Sequence, residues 1–175
     1  MNKVRWGIIG PGKIANRFAD GLKETTTGKL VAIASKSNER RKTFGDKYSI
    51  NPSLRFEDYE EIIKSTEVDA IYISTPHTFH GEWTIKAAKK GKHILCEKPA
   101  CINYLEAKKV IDVVRNADVF YMEGFMYRCH PQITKLLELI KLNLVGKIES
   151  IYSSFGFNAG IVDPQSRLFD KNLAG

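Results

Sequence analysis

The chain has 175 residues, of which 43% are hydrophobic and 27% are charged. These ordinary globular proportions exclude a disordered chain, a collagen-like fibre and a disulfide-dense miniprotein. No hydrophobic run reaches the roughly 18 residues of a membrane helix. The residues after Met1 lead directly into a strand-like segment, without the pattern of a signal peptide. We therefore expect a cytoplasmic protein with no membrane attachment.

Basic residues outnumber acidic ones by 27 to 20, which gives a net charge of +7. They are scattered along helix-like segments, so the excess suits an anionic ligand and does not indicate nucleic acid. The three cysteines, Cys96, Cys101 and Cys129, show no spacing typical of a metal site. We expect reduced thiols and no bound metal.

The hydrophobic pattern alternates between strands and helices along most of the chain. Strands are predicted at 4–9, 30–34, 70–73, 93–96 and 119–122. Helices are predicted at 14–22, 37–48, 56–65, 83–88, 104–114 and 133–142. This alternation is typical of βαβ units, so we predict an α/β fold with a doubly wound (Rossmann), mostly parallel sheet.

The pattern changes after Gly146. Residues 147–157 alternate with period two, which predicts a strand with one face exposed to solvent. Left unpaired, such a strand would promote aggregation, so we interpret it as the first strand of a truncated α+β domain. The predicted domains are 1–122, which binds a dinucleotide, and 123–175, a connecting helix and the start of a substrate or dimerisation domain.

A glycine-rich turn follows the first strand and opens the first helix, the context that the dinucleotide fingerprint requires. Its candidate cofactor-binding residues are Gly10, Gly12, Lys13, Ile14 and Ala15. Gly10 permits the tight turn, Gly12 leaves room for a pyrophosphate, and Ala15 lets helix and strand pack closely. The helix N-terminus adds free N–H groups and a positive dipole end. A glycine turn without a ligand is the alternative.

The end of the second strand lacks a carboxylate. Sites that prefer NAD place Asp or Glu there to bind the ribose hydroxyls. Here Ser35, Lys36 and Ser37 could bind a 2′-phosphate, and Arg40 and Arg41 follow one helical turn later. The sequence therefore favours NADP(H), with NAD(H) as second choice; an ordinary polar loop is the alternative.

Two further strand ends carry polar groups. The first supplies Ser74, Thr75, Pro76, His77 and His80. It lies where a doubly wound sheet forms its ligand crevice, although either histidine could instead cap the next helix.

The second strand end carries Glu97-Lys98-Pro99. Lys98 could exchange a proton with a substrate oxygen, because a nearby nicotinamide cation and partial burial would lower its pKa. Glu97 could orient it, and Pro99 could fix the backbone. A surface Lys–Glu pair is the alternative.

Together with Glu123-Gly124-Phe125-Met126-Tyr127-Arg128, these motifs occur in order at strand ends. The ordered set resembles the Gfo/Idh/MocA oxidoreductase family, in particular its branch of dimeric dihydrodiol dehydrogenases and glucose–fructose oxidoreductases. The resemblance implies that Lys98 is the catalytic lysine and that His77 and His80 line the crevice. It further implies that Glu123 and Arg128 lie near the nicotinamide, and that Ser35 and Lys36 contact the adenosine ribose or its phosphate.

The resemblance also implies a reaction. Hydride would pass between NADP(H) or NAD(H) and a sugar- or diol-like substrate, in a full-length protein that forms homo-oligomers. Residues 166–170 resemble the stretch that precedes the family's next catalytic segment, so the chain resembles an N-terminal half. The alternative is a non-catalytic dinucleotide-binding module that senses redox state or binds a partner.

Overall fold

A computed structural model describes residues 3–156 and 158. It divides into two compact units, the first ending at Gly124 and the second beginning at Phe125. Within the described ranges, no helix is both long enough and apolar enough to cross a bilayer.

The first unit is built on one six-stranded parallel sheet. Its strands are β1 Val4–Ile9, β2 Gly28–Ala34, β3 Arg55–Phe56, β4 Ala70–Ile73, β5 His93–Cys96 and β6 Tyr121–Glu123. They lie in the order β3-β2-β1-β4-β5-β6, and every neighbouring pair is parallel. The strand order reverses between β1 and β4, so this sheet has the predicted doubly wound topology.

Helices cover both faces of the sheet. They are α1 Lys13–Lys23, α2 Asn38–Lys47, α3 Tyr59–Lys64, α4 His80–Lys89 and α5 Tyr104–Asn116. Because side chains alternate along a strand, Ile8 packs with Ala15 of α1, whereas Ile9 packs in the cluster of Ile62 and Ala87. Each fully buried isoleucine stabilises the fold by about 1.5–3 kcal/mol.

The edge strand β3 was absent from the sequence prediction. It has two residues, which pair with Ile33 and Ala34 of β2, and two residues carry no periodicity to detect. The predicted helix 56–65 begins later, at Tyr59, because the carboxylate of Asp58 accepts the N–H of Glu60 and caps α3.

The second unit contains a 3-10 turn, Met126–Cys129, and helix α6, Pro131–Lys141. Proline at the first position and the His130 side chain, which accepts the N–H of Gln132, start this helix. The strand predicted at 147–157 was wrong for its described residues 147–156. A strand needs a hydrogen-bonded neighbour, and none of the described strands pairs with this segment. Phe157 and residues 166–170 lie outside the described residues.

Candidate functional site

The turn after β1 requires glycine. Gly10 has a φ of +89°, and a Cβ atom there would lie 3.1 Å from the carbonyl oxygen of Ser74. The hydroxyl of Ser74 donates to the Gly10 carbonyl at 2.7 Å. Ser74 therefore holds the glycine turn against β4 with the side chain that we predicted would bind a cofactor.

The start of α1 fits an anion. Helix α1 has no side-chain cap and no acidic residue in its first turn, so the first N–H groups lack intrahelical acceptors. A Cβ atom at Gly12 would meet nothing within 4 Å, whereas Ala15 is fully buried against the sheet. Lys13 is exposed and Ile14 half-buried in this same turn. A phosphate group can therefore approach the helix N-terminus.

At the loop after β2, Ser35 and Arg41 make hydrogen bonds within the protein. Ser35 is buried, and its Oγ accepts the N–H of Ser37 at 3.3 Å. Arg41 donates to the Ser35 carbonyl and to Asn38 Oδ1, and it pairs with Glu57 at 3.5 Å. Ser35 and Arg41 therefore support the loop.

Lys36 in this loop and Arg40 in the first turn of α2 are exposed cations. Neither side chain makes a hydrogen bond or ion pair with any residue in the described ranges. The ammonium of Lys36 and the guanidinium of Arg40 are therefore available for an anionic ligand. The sequence alone did not show which of the two neighbouring arginines is available, because both were candidates.

A cavity of about 230 Å³ opens beside Lys36. Its walls are Lys36, Tyr59, Thr75, Pro76, Phe79, Glu82 and Trp83. Tyr59 and Trp83 meet edge to face, with ring centroids 5.0 Å apart. Thr75 is 7% exposed, and its Oγ1 has no hydrogen-bond partner in the part of the chain that the structure describes. An aromatic wall with one unpaired buried hydroxyl suits a flat polar ring.

His80 does not line the crevice as we predicted. Its side chain is fully buried, and its ring nitrogens lie 2.7 Å from the Pro99 carbonyl and 2.8 Å from the Thr75 carbonyl. The prediction was wrong because the ring, at the start of α4, lies between two loops, and both of its nitrogens face backbone carbonyls. His77 is half-buried beside it, with ring centroids 5.7 Å apart.

The loop that carries Lys98 is fixed at several points. Glu97 Oε1 accepts the Tyr72 hydroxyl at 2.6 Å, and Glu123 Oε1 accepts the Ala100 N–H at 2.9 Å. The Lys98–Pro99 peptide is cis. Lys98 itself is exposed, and its ammonium makes no hydrogen bond or ion pair with a described residue. The structure thus presents one free ammonium on a tightly held loop.

The cysteines that flank this loop are poor nucleophiles. Burial raises the pKa of Cys96 to about 12 and that of Cys101 to about 11, so both thiols stay protonated at neutral pH. Lys98 is the better candidate for chemistry on this loop.

Sequence reasoning missed the aromatic residues of the site. The sequence placed Tyr59 and Trp83 in the predicted helices 56–65 and 83–88, and Tyr72 in the predicted strand 70–73. Their neighbours at the site follow from the strand order, which the sequence does not show. Arg128 lies in the second unit, in the 3-10 turn, and its place near the nicotinamide remains a prediction.

This arrangement matches a known family. The sequence model described as an oxidoreductase family with an NAD-binding Rossmann fold matches residues 4–125. The chain belongs to the Gfo/Idh/MocA oxidoreductase family. The predicted family and doubly wound fold are therefore confirmed.

Relatives of this chain in the family act on several compounds. It is 31% identical over 174 residues to trans-1,2-dihydrobenzene-1,2-diol dehydrogenase of Xenopus tropicalis, covering 98% of this chain and 51% of that protein. It is 33% identical over 155 residues to dTDP-3,4-didehydro-2,6-dideoxy-alpha-D-glucose 3-reductase of Actinomadura kijaniata, covering 88% and 46%. The chain spans about half the length of these relatives.

Solved structures agree with the fold. A variant of a 3-ketoreductase from Actinomadura kijaniata, in complex with TDP-benzene and NADP, superimposes with a TM-score of 0.74 at 32% identity; the match covers 84% of this chain and 46% of that one. Aldose-aldose oxidoreductase from Caulobacter crescentus, complexed with glycerol, gives a TM-score of 0.76 at 29% identity, with 83% and 44% covered.

Proposed function

We propose that this chain is the dinucleotide-binding part of an NADP(H)-dependent oxidoreductase that interconverts a hydroxyl and a carbonyl group on a sugar- or diol-like substrate. The observation that carries the proposal is the unpaired, buried hydroxyl of Thr75 in an aromatic cavity beside Lys36. Relatives named as diol dehydrogenase and sugar reductase, and a related structure with NADP, support the substrate class and the cofactor.

The residues present fit NADP in three places. The open face of Gly12 and the uncapped start of α1 would hold the pyrophosphate. The cavity lined by Tyr59 and Trp83 would take the adenine, with Thr75 Oγ1 as its buried hydrogen-bonding group. Lys36 and Arg40 would bind the 2′-phosphate, for which an exposed ammonium and guanidinium are suited. NAD remains the second choice, because no carboxylate follows β2.

The remaining proposed chemistry concerns a proton. When bound, the nicotinamide supplies the carbon that gives or takes hydride. Lys98 Nζ would donate a proton to the carbonyl oxygen during reduction and accept it during oxidation. The hydrogen bonds of Glu97 and Glu123 would hold the Lys98 loop in place during this exchange.

The proposal extends to the second unit and to the location of the protein. We place residues 123–175 at the start of a second domain that contributes the substrate site and self-association. The three cysteines are free thiols, which supports a location in the cytoplasm.

The test uses the chain's two tryptophans. Trp83 lines the cavity, whereas Trp6 packs against Phe18 in the other hydrophobic cluster, with ring centroids 5.2 Å apart. NADP⁺ should quench the fluorescence of the wild type and of Trp6→Phe, and should leave Trp83→Phe nearly unchanged. NADP⁺ does not absorb tryptophan emission, so quenching reports contact with the ring.

NAD⁺ provides the matched ligand. Saturation at a lower concentration of NADP⁺ than of NAD⁺ is expected, because NAD⁺ lacks the 2′-phosphate. Absence of quenching by both ligands in a folded chain would refute the proposed site, and equal affinity would refute the preference for NADP.

A further inference from the structure

We propose that Tyr72 is a positioning residue: its hydroxyl fixes the Glu97 carboxylate at the nicotinamide end of the crevice, so that the site favours the oxidised, cationic cofactor over the reduced one. This inference rests on the proposed function, because it assumes a dinucleotide in the crevice.

The ring of Tyr72 is immobilised by packing. Tyr72 is 2% exposed and lies on the face of β4 that packs with Ile8 and Ala15. Its ring stacks on Phe18 of α1, with centroids 4.1 Å apart and planes 22° from parallel. A ring held on these sides gives its hydroxyl a single position.

The hydroxyl has one partner among the described residues. It donates to Glu97 Oε1 at 2.6 Å, a length typical of a charge-assisted hydrogen bond. Burial raises the pKa of Tyr72, so the phenol stays protonated and remains a donor. The Glu97 N–H donates to the Ile73 carbonyl at 2.9 Å. Backbone and side chain of Glu97 are therefore both fixed, and a neutral donor leaves the carboxylate charge in place.

The position of Glu97 identifies the half of the ligand that it faces. The cavity for the adenine lies at the ends of β2 and β4, and the glycine turn lies at the end of β1. A dinucleotide that crosses the crevice places its other half over β5 and β6. Glu97 directly follows β5, so its carboxylate lies at the nicotinamide end.

Charge then distinguishes the two redox forms. The oxidised nicotinamide ring is a cation and the reduced ring is neutral, so only the oxidised ring gains from a nearby fixed carboxylate. A pair of unit charges about 4 Å apart, screened as strongly as in bulk water, changes an affinity by about fivefold. Lys98 has the opposite charge, but it keeps that charge in the wild type and in both variants, so it cancels when their affinities are compared. Glu123 adds a second carboxylate that the Ala100 N–H holds.

The experiment measures three affinities in the 175-residue chain: for NADP⁺, for NADPH and for 2′-phospho-ADP, which contains only the adenine half. Tyr72→Phe keeps the stacked ring and removes the hydroxyl. Glu97→Gln keeps the shape and removes the charge. Tyr121→Phe is the matched control, since it makes the same chemical change on β6, at a tyrosine with no hydrogen bond to Glu97.

The proposal expects Tyr72→Phe and Glu97→Gln each to lower the preference for NADP⁺ over NADPH by about fivefold. Affinity for 2′-phospho-ADP should not change, and the double variant should lose no more than Glu97→Gln alone. Tyr121→Phe should behave as the wild type.

Two results overturn the inference alone: an unchanged NADP⁺ to NADPH ratio in Tyr72→Phe, or equal weakening of all three ligands, which indicates a structural hydroxyl. If Tyr72→Phe does not fold, the ratio in the less buried Glu97→Gln variant decides. Failure of the wild type to bind even 2′-phospho-ADP overturns the proposed function itself.

Discussion

The imidazole of His80 joins the loop after β4 to the loop after β5: Nδ1 lies 2.7 Å from the carbonyl oxygen of Pro99. The other nitrogen lies 2.8 Å from the carbonyl of Thr75. A fully buried ring between two backbone acceptors is therefore part of the scaffold that holds Thr75 and Lys98 in their loops.

Replacing His80 by leucine should lower the free energy of unfolding by about 3 kcal/mol, because the buried ring that lies between the Pro99 and Thr75 carbonyls is lost together with its hydrogen bonding. Urea unfolding followed by circular dichroism measures the change. His93→Leu is the control, since His93 is exposed and loses one hydrogen bond, which it accepts from the Phe120 N–H; it should cost about 1 kcal/mol. Equal losses at both positions would contradict the role of His80.

Alanine substitutions at the two glycines of the turn should have different effects, one on stability and the other on cofactor binding. Gly10→Ala forces a side chain into a φ of +89° and against the Ser74 backbone, so it should destabilise the fold by about 1–3 kcal/mol. The methyl group of Gly12→Ala has no described atom within 4 Å, so the substitution should leave the melting temperature nearly unchanged and weaken NADP⁺ binding at least about tenfold. Thermal melts and fluorescence titrations separate the two effects, and the reverse assignment would refute this interpretation.

Removing the charge of Lys36, in the loop after β2, or of Arg40, in the first turn of α2, should alter the preference for NADP(H) over NAD(H). Lys36→Ala and Arg40→Ala should each weaken NADPH by about tenfold, the value of one charge-assisted hydrogen bond to phosphate. NADH, which lacks the 2′-phosphate, should bind as before. Lys42→Ala is the control, because Lys42 is an exposed cation of α2 that lines neither the cavity beside Lys36 nor the neighbouring one that Arg40 lines. A loss of NADH affinity equal to that of NADPH would count against the 2′-phosphate role.

Lys98→Ala separates an enzyme from a redox-sensing module. In a longer form of the protein that turns over substrate, the change should lower kcat by about 10² to 10⁴, the range for loss of a general acid or base. Cofactor affinity should stay within about threefold, because the Lys98 side chain makes no hydrogen bond or ion pair with a described residue. Undiminished turnover would exclude Lys98 as the general acid or base, and absence of turnover in the unmutated longer form would favour the non-catalytic alternative. A Lys98→Arg variant checks whether charge alone suffices.

The sequence predicted the central strands well, for a physical reason. Strands β4 and β5 were predicted at their observed bounds, because short hydrophobic runs stop at Pro76 and Pro99 or begin after Gly91. Strand β3 was missed because its two residues depend on pairing with β2 rather than on a pattern of their own. The strand predicted at 147–157 shows the converse, since alternation without a pairing neighbour does not make a strand.

The sequence predicted which residues lie at the strand ends of the site, but not which of them are buried or hydrogen-bonded to one another. The motifs located Gly10, Thr75 and Lys98 at the ends of their strands. Burial was not visible in the sequence, so His80 was assigned to the crevice although it lies between loops. The link from Tyr72 to Glu97 spans 25 positions of the chain, and only the adjacency of β4 and β5 creates it.

The basic residues at the end of β2 have separate roles, and this separation affects how the cofactor preference can change by mutation. Arg41 anchors the loop by its bonds to Ser35 and its pairing with Glu57, whereas Lys36 and Arg40 extend into solvent. Substitutions at the two exposed positions leave that anchor in place. The preference for NADP(H) or NAD(H) could therefore change in evolution through surface mutations alone, while the sheet and the conformation of the loop stay the same.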